Sequence, residues 1–151
     1  MGIFTTLSTA GSGLTAQRMR LDVISDNIAN ADTTRTVDGG PFRRSRVILQ
    51  AKNEGAYWNS PFLPKSLDNG LGKGVEVVEI EKDTDSQTRL VYDPYHPDAY
   101  KTGPKAGYVE YPNVNVVQEM VDMISASRAY EANVSLINGA KSMFTKAMDI
   151  K

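Results

Sequence analysis

The chain has 151 residues, no cysteine and a formal net charge of −1. This length suits one domain with a modest core, and the lack of cysteine excludes disulfides, thiolate metal sites and cysteine nucleophiles. Both signs of charge are interspersed along the chain, so no basic face predicts a nucleic-acid partner.

No apolar run approaches the length of a membrane span, so we expect no direct membrane insertion. Residues 1–16 lack the charged start and the solid apolar stretch of a secretory signal. If the protein leaves the cytoplasm, we expect it to do so without a cleaved signal peptide.

A heptad pattern occupies the N-terminal part of the chain and predicts a helix with one apolar edge. Its two rows, each spaced by seven, are Leu7, Leu14, Leu21 and Ile28, and Ala10, Gln17, Ile24 and Ala31. The first half is rich in Ser, Thr and Gly, and each glycine costs about 1 kcal/mol relative to alanine. We expect this half to be frayed in the isolated subunit and to order against neighbours.

Two asparagines, Asn27 and Asn30, lie three residues apart where the helical pattern stops. Their amides can bond to exposed carbonyls at the helix end, or reach across to a neighbouring helix. The sequence leaves both roles open.

The middle of the chain predicts a small, mostly antiparallel β region. A turn cluster at residues 36–41 precedes a predicted strand at 42–50, and further strands are predicted at 75–80, 88–92 and 108–111. Residues 53–74 are irregular and predict a long loop.

Two features of the middle region could suggest a phosphate-binding loop or a metal site, but neither has the residue spacing or the ligands that such a site requires. The glycines at residues 70–74 lack Walker spacing and precede a strand instead of a helix. His96, between Asp93 and Asp98, has too few neighbouring ligands for a zinc site. We therefore predict no catalytic, cofactor-binding or metal residue, no cofactor and no small-molecule substrate.

The C-terminal part predicts a second long helix, starting after Pro112 with Asn115 as its cap. Its seam alternates steps of three and four residues. The seam positions are Met120, Met123, Ser127, Tyr130, Val134, Ile137, Lys141, Phe144 and Met148.

The predicted fold is mainly α with a small β segment, with the two terminal helices paired as a coiled-coil-like hairpin. The predicted segments are an N-terminal arm at 1–33, a β-rich middle region at 34–112 and a C-terminal helix at 113–151.

With these motifs in place, the sequence resembles the bacterial flagellar basal-body rod proteins over nearly its whole length. The matching segments are residues 21–33, which contain Asn27 and Asn30, and residues 38–44, 91–94, 96–99, 111–120 and 125–134. Residues 46–74 carry little that can be matched.

The resemblance implies a non-enzymatic structural subunit of the proximal rod, which transmits motor torque to the hook across the periplasm. Implied partners are further copies of this chain, other rod proteins, and the adaptor joining the rod to the membrane ring and export gate. The family is synthesised in the cytoplasm and exported unfolded by the flagellar type III apparatus.

We expect assembly to use the terminal helices. The predicted packing residues are Leu7, Leu14, Leu21, Ile24, Asn27, Ile28, Asn30, Met120, Met123, Tyr130, Val134, Ile137, Phe144 and Met148. The alternative function is a soluble cytoplasmic coiled-coil adaptor that oligomerises through the same seams, and an enzyme ranks third.

Overall fold

A computed structural model describes residues 3–37, 39–52 and 74–149. Along the chain, the elements are α1 (Ile3–Ala29), β1 (Ser45–Ala51), β2 (Val75–Lys82), β3 (Arg89–Tyr92), β4 (Tyr108–Tyr111) and α2 (Val116–Met148). Two long terminal helices thus enclose a small antiparallel β region, which confirms the predicted fold class. The predicted loop at 53–74 lies outside the described residues except for Gly74.

Helix α2 begins where the sequence predicts, because Asn115 caps it. The Asn115 side-chain oxygen accepts hydrogen bonds from the backbone N–H groups of Val117 and Gln118, which have no partner inside the helix. The helix has 33 residues and is about 50 Å long at 1.5 Å per residue. It continues through Gly139 without interruption.

Helix α1 is continuous over 27 residues although its first half has poor intrinsic helicity. A tertiary contact supports this half: the Ser12 hydroxyl accepts a hydrogen bond from the backbone N–H of Val75 at 3.0 Å and donates one to the carbonyl of Thr9. The start of β2 is thereby attached to the helix. Fraying of the isolated arm stays a prediction.

The strands form two separate two-stranded antiparallel sheets, β1–β2 and β3–β4. In the first sheet, Val47 pairs with Ile80 and Leu49 pairs with Val77, with a register shift between these pairs. Helix α2 packs along α1, and the β1–β2 sheet packs on another side of α1. Helix α1 is therefore the central element of the fold.

Small side chains dominate the core. The buried apolar residues are Ala10, Ala16, Ile24, Ala31, Val109, Ala126 and Ala140. Because alanines occupy most of the helix contact, the core buries little apolar volume and many larger apolar side chains stay outside it. Neither helix, within the residues described, is long and apolar enough to cross a membrane.

Candidate assembly surface

The two helices run antiparallel, and two contacts define their register. Near one end of the pair, Asn27 of α1 contacts Glu119 of α2. Further along, Gly13 approaches Asn133 so closely that a Cβ at residue 13 would lie 3.1 Å from the Asn133 Nδ2 atom. The helices meet through small and polar residues at these positions.

A set of buried and half-buried polar groups, which we name the polar junction, joins both helices to β1. It consists of Asn27, Arg44, Ser45 and Glu119. The Asn27 side-chain N–H group donates to Glu119 Oε2 at 3.1 Å and to the Ser45 carbonyl at 2.8 Å. The Ser45 backbone N–H donates to Asn27 Oδ1 at 2.9 Å, and Arg44 Nε donates to Glu119 Oε1 at 2.6 Å.

Burial makes the polar junction energetically important. Asn27 and Glu119 are each only 1% exposed. A carboxylate removed from water is strongly destabilising unless it is paired and hydrogen-bonded. Here both Glu119 oxygens accept a hydrogen bond, one of them from a guanidinium. Asn27 of α1 and Arg44, which precedes β1, therefore both donate to the same buried carboxylate.

Asn27 and Asn30, the two asparagines where the N-terminal helical pattern stops, have different roles. Asn27 reaches across to α2 and β1, as described above. Asn30 acts locally, because its side-chain N–H group donates to the backbone and side-chain oxygens of Asp26, and its side-chain oxygen accepts from the Thr33 hydroxyl. Of the two roles left open by the sequence, Asn27 has the cross-helix one and Asn30 the local one at the helix end.

The structure separates the predicted packing residues by burial. Ile24 and Asn27 are buried. The half-buried ones are Leu7, Leu14, Leu21, Ile28, Asn30, Met123, Val134 and Ile137, and the exposed ones are Met120, Tyr130, Phe144 and Met148. In α2, the buried neighbours of the predicted seam are Glu119, Ala126 and Ala140, each one residue before a predicted position.

The seam positions differ from the predicted ones for a physical reason. The sequence pattern favours the larger side chain, such as Met120, yet Met120 is 51% exposed and the adjacent Glu119 faces α1. Close helix approach requires small residues, and the buried Glu119 carboxylate is compensated by Asn27 and Arg44, which lie 92 and 75 residues away in sequence. The role of the predicted residues in contacts between subunits stays a prediction.

Helix α2 also has an apolar side that faces away from α1. Val117, Val121 and Ile124 follow helical spacing on the side opposite the buried Ala126. Val121 and Ile124 are each 55% exposed. Leu136, Met143 and the end of α2 add further exposed apolar side chains. An exposed apolar cluster such as Val117, Val121 and Ile124 is typical of protein interaction sites.

The features considered for other chemistry have local structural roles. The His96 Nδ1 atom accepts a hydrogen bond from the backbone N–H of Asp98, and the Asp98 carboxylate accepts one from the Thr34 hydroxyl. Among the described residues, no group of three or more His, Asp or Glu side chains could hold a metal ion. Most of the glycine-rich segment at 70–74 lies outside the described residues.

Sequence reasoning missed Arg44 and Glu119 as part of the helix contact. The pairing of an arginine before β1 with a glutamate in the first turn of α2 depends on the tertiary fold, and no local pattern signals it.

Comparison with known proteins gives matches at both ends of the chain and over its full length. A family model described as flagella basal body rod protein matches residues 7–35, and one described as flagellar basal body rod FlgEFG protein C-terminal matches residues 105–150. These two ranges contain most of α1 and all of α2.

Full-length relatives give the same picture. A protein from Borreliella burgdorferi named flagellar basal-body rod protein FlgC is 59% identical over 150 residues, covering 99% of this chain and 98% of the relative. Proteins of the same name from Bacillus subtilis and Escherichia coli O6:H1 are 46% and 38% identical, each covering 99% of this chain and 99% and 98% of the relative, respectively.

Proposed function

Because this chain belongs to the family of flagellar basal-body rod proteins, of the FlgC type, we propose that its terminal helices carry the contacts between rod subunits. It is a structural subunit of the flagellar basal-body rod and not an enzyme. The relatives do not favour the alternative of a cytoplasmic coiled-coil adaptor. The rod assembles with other components of the basal body.

The observation that supports the proposal is that Val117, Val121 and Ile124 form an exposed apolar cluster on the side of α2 opposite the residues that contact α1. Val121 and Ile124 remain more than half exposed in the isolated subunit. Fully burying a side chain of this size stabilises by about 1.5–3 kcal/mol. A few such residues on each subunit would give a substantial contact to a neighbouring helix.

A second surface on the same subunit is suited to receive that helix. The half-buried row Leu7, Leu14, Leu21 and Ile28 lies on the side of α1 away from the start of β2. Ser12 bonds to Val75 of β2, and the row lies about 140–180° from Ser12 around the helix at 100° per residue. The row and the outward side of α2 are different surfaces. A contact between them in two copies would be heterologous, and such contacts build rings or filaments instead of closed dimers.

The finer functional proposals follow from the family. The subunit lies in the periplasm-spanning part of the rod and passes motor torque to the hook. Long helices packed side by side around an axis resist twisting, because rotating one of them requires every contact along its seam to be repacked. Its neighbours are other copies, other rod proteins and the adaptor to the membrane ring and export gate. It is made in the cytoplasm and exported by the type III apparatus without a cleaved signal peptide.

We also retain the division into an arm at 1–33, a middle region at 34–112 and a helix at 113–151 as part of the proposal. The order of the elements supports it, because the two long helices lie towards the ends of the chain and the four strands among the described residues lie between them.

The test replaces the outward side of α2 and leaves the contact with α1 intact. Val121→Asp combined with Ile124→Asp is expected to abolish rod assembly and swimming, while the purified subunit keeps the helical circular dichroism of the wild type. Asn138→Asp, an exposed polar position on the same helix, is the matched control and should swim normally. Normal motility of the double variant would contradict the proposal.

A further inference from the structure

Each helix presents two adjacent rows of residues that could form the interhelix contact. In α1, one row contains Gly13 and Asn27, and the neighbouring row contains Leu14 and Ile28. In α2, the two rows are Glu119, Ala126, Asn133 and Ala140, and, one residue later, Met120, Ser127, Val134 and Lys141. The structure uses the row of small and polar residues in both helices.

Apolar burial alone would favour the other choice in α1. Placing Leu7, Leu14, Leu21 and Ile28 in the contact would remove more apolar surface from water than Gly13 and Asn27 do. Both arrangements of the contact include Ala10, Gln17, Ile24 and Ala31 of α1. They differ by a rotation of each helix about its own axis, through about half of the 100° that separates successive residues. A small rotation therefore converts one arrangement, which we call a rotational setting of the helix pair, into the other.

The polar junction opposes this roll. In the observed setting, Asn27 bonds to both Glu119 and Ser45, and Arg44 bonds to Glu119. Rolling α1 would turn Asn27 out of the contact, and Glu119 would lose a donor while its charge remained near the contact. Buried polar groups are best attested in the role of selecting one packing arrangement among several apolar ones.

We propose that the polar junction holds α1 and α2 in the rotational setting that leaves the leucine row half-buried at the edge of their contact instead of in its centre. The part of each of these side chains that stays exposed then lies on the outside of the subunit. That these side chains meet neighbouring rod subunits rests on the function proposed above. The rotational setting itself is a property of the single subunit and is tested without assembly.

The absence of cysteine permits a direct test by disulfide cross-linking in the purified full-length subunit. The inner pair, Gly13→Cys with Asn133→Cys, reports the observed setting, because residue 133 lies against residue 13. The outer pair, Leu14→Cys with Val134→Cys, reports the rolled setting. With the polar junction intact, mild oxidation should cross-link the inner pair at least about tenfold more than the outer pair, the ratio for a difference of 1.4 kcal/mol.

The cross-links are then measured after the polar junction is made apolar by Asn27→Leu with Glu119→Leu. The proposal predicts that the preference reverses in favour of the outer pair. The matched control is Arg46→Met with Glu81→Leu, which removes an exposed ion pair within the β1–β2 sheet and should leave the inner pair preferred.

Glu119→Gln is the variant that keeps the side-chain shape. It places an amide N–H group against Asn27 or Arg44, where the wild type has two acceptors, and should weaken the inner-pair preference. An inner-pair preference unchanged in both junction variants would overturn the proposal. Loss of helical circular dichroism together with both cross-links would also overturn it, because the junction would then be required for pairing itself and not for the choice of setting.

Discussion

Replacing Arg44 tests how strongly the fold depends on the polar junction. Arg44→Met removes the guanidinium that donates to Glu119 at 2.6 Å and leaves the carboxylate with Asn27 as its donor. Breaking a buried ion pair by removing one partner destabilises by about 3–5 kcal/mol. Because the Arg44 side chain is 33% exposed, water can replace part of the lost interaction, and we expect a loss of about 2–3 kcal/mol.

The neighbouring Arg46 supplies a matched control. Its ion pair with Glu81 joins two side chains that are 64% and 43% exposed, and exposed pairs contribute about 0–1 kcal/mol. Urea unfolding of Arg44→Met and Arg46→Met, followed by circular dichroism, gives both losses from the midpoints when the slopes agree. For a chain of this size, the Arg44→Met loss corresponds to a fall in Tm of about 4–12 °C. Equal losses in the two variants would refute the reasoning.

Two further predictions concern glycines and a carboxylate. Gly11→Ala should stabilise the fold by about 0.5–1 kcal/mol, because the structure leaves open space beside residue 11 of α1. Gly13→Leu should destabilise the fold by about 1–3 kcal/mol, because the larger side chain would overlap with α2. Thermal unfolding measures both effects, and similar changes in Tm for the two variants would contradict the described contact. Hydrogen bonds from Ser86 hold the pKa of Asp83 below its ordinary value of 3.8. Their stabilisation is therefore present above that value and is lost as pH falls through the lower folded-state pKa; Ser86→Ala should raise the Asp83 pKa in an NMR titration, and an unchanged pKa would count against this cause.

The long elements could be predicted from the sequence because their signals are local. Asn115 caps α2 from within one turn of the helix, and β4 has the predicted limits of Tyr108 and Tyr111. The alternation of half-buried and exposed residues in β1 also reflects a local period of two. Caps and periods depend on neighbours along the chain, which a sequence displays directly.

The details of the helix contact could not be predicted because they depend on distant residues. Asn27 and Asn30 are the same residue type at one helix end, and Asn27 has the cross-helix role because the fold brings Glu119 of α2 beside it. A hydrophobic pattern ranks Met120 above Glu119 as a contact residue, and the reverse holds because Arg44 compensates the buried charge. Contacts between residues that are tens of positions apart in sequence produce no periodic pattern.

The central claim is that the outward side of α2 contacts another subunit in the rod. A photo-cross-linking amino acid at Val121, introduced into cells that assemble flagella, tests it directly in isolated basal bodies. The same amino acid at Arg46, which is exposed on the β1–β2 sheet, shows the background. We expect a covalent adduct from Val121 to a second copy or to another rod protein. A yield from Val121 no higher than from Arg46 would show that the outward side of α2 makes no such contact.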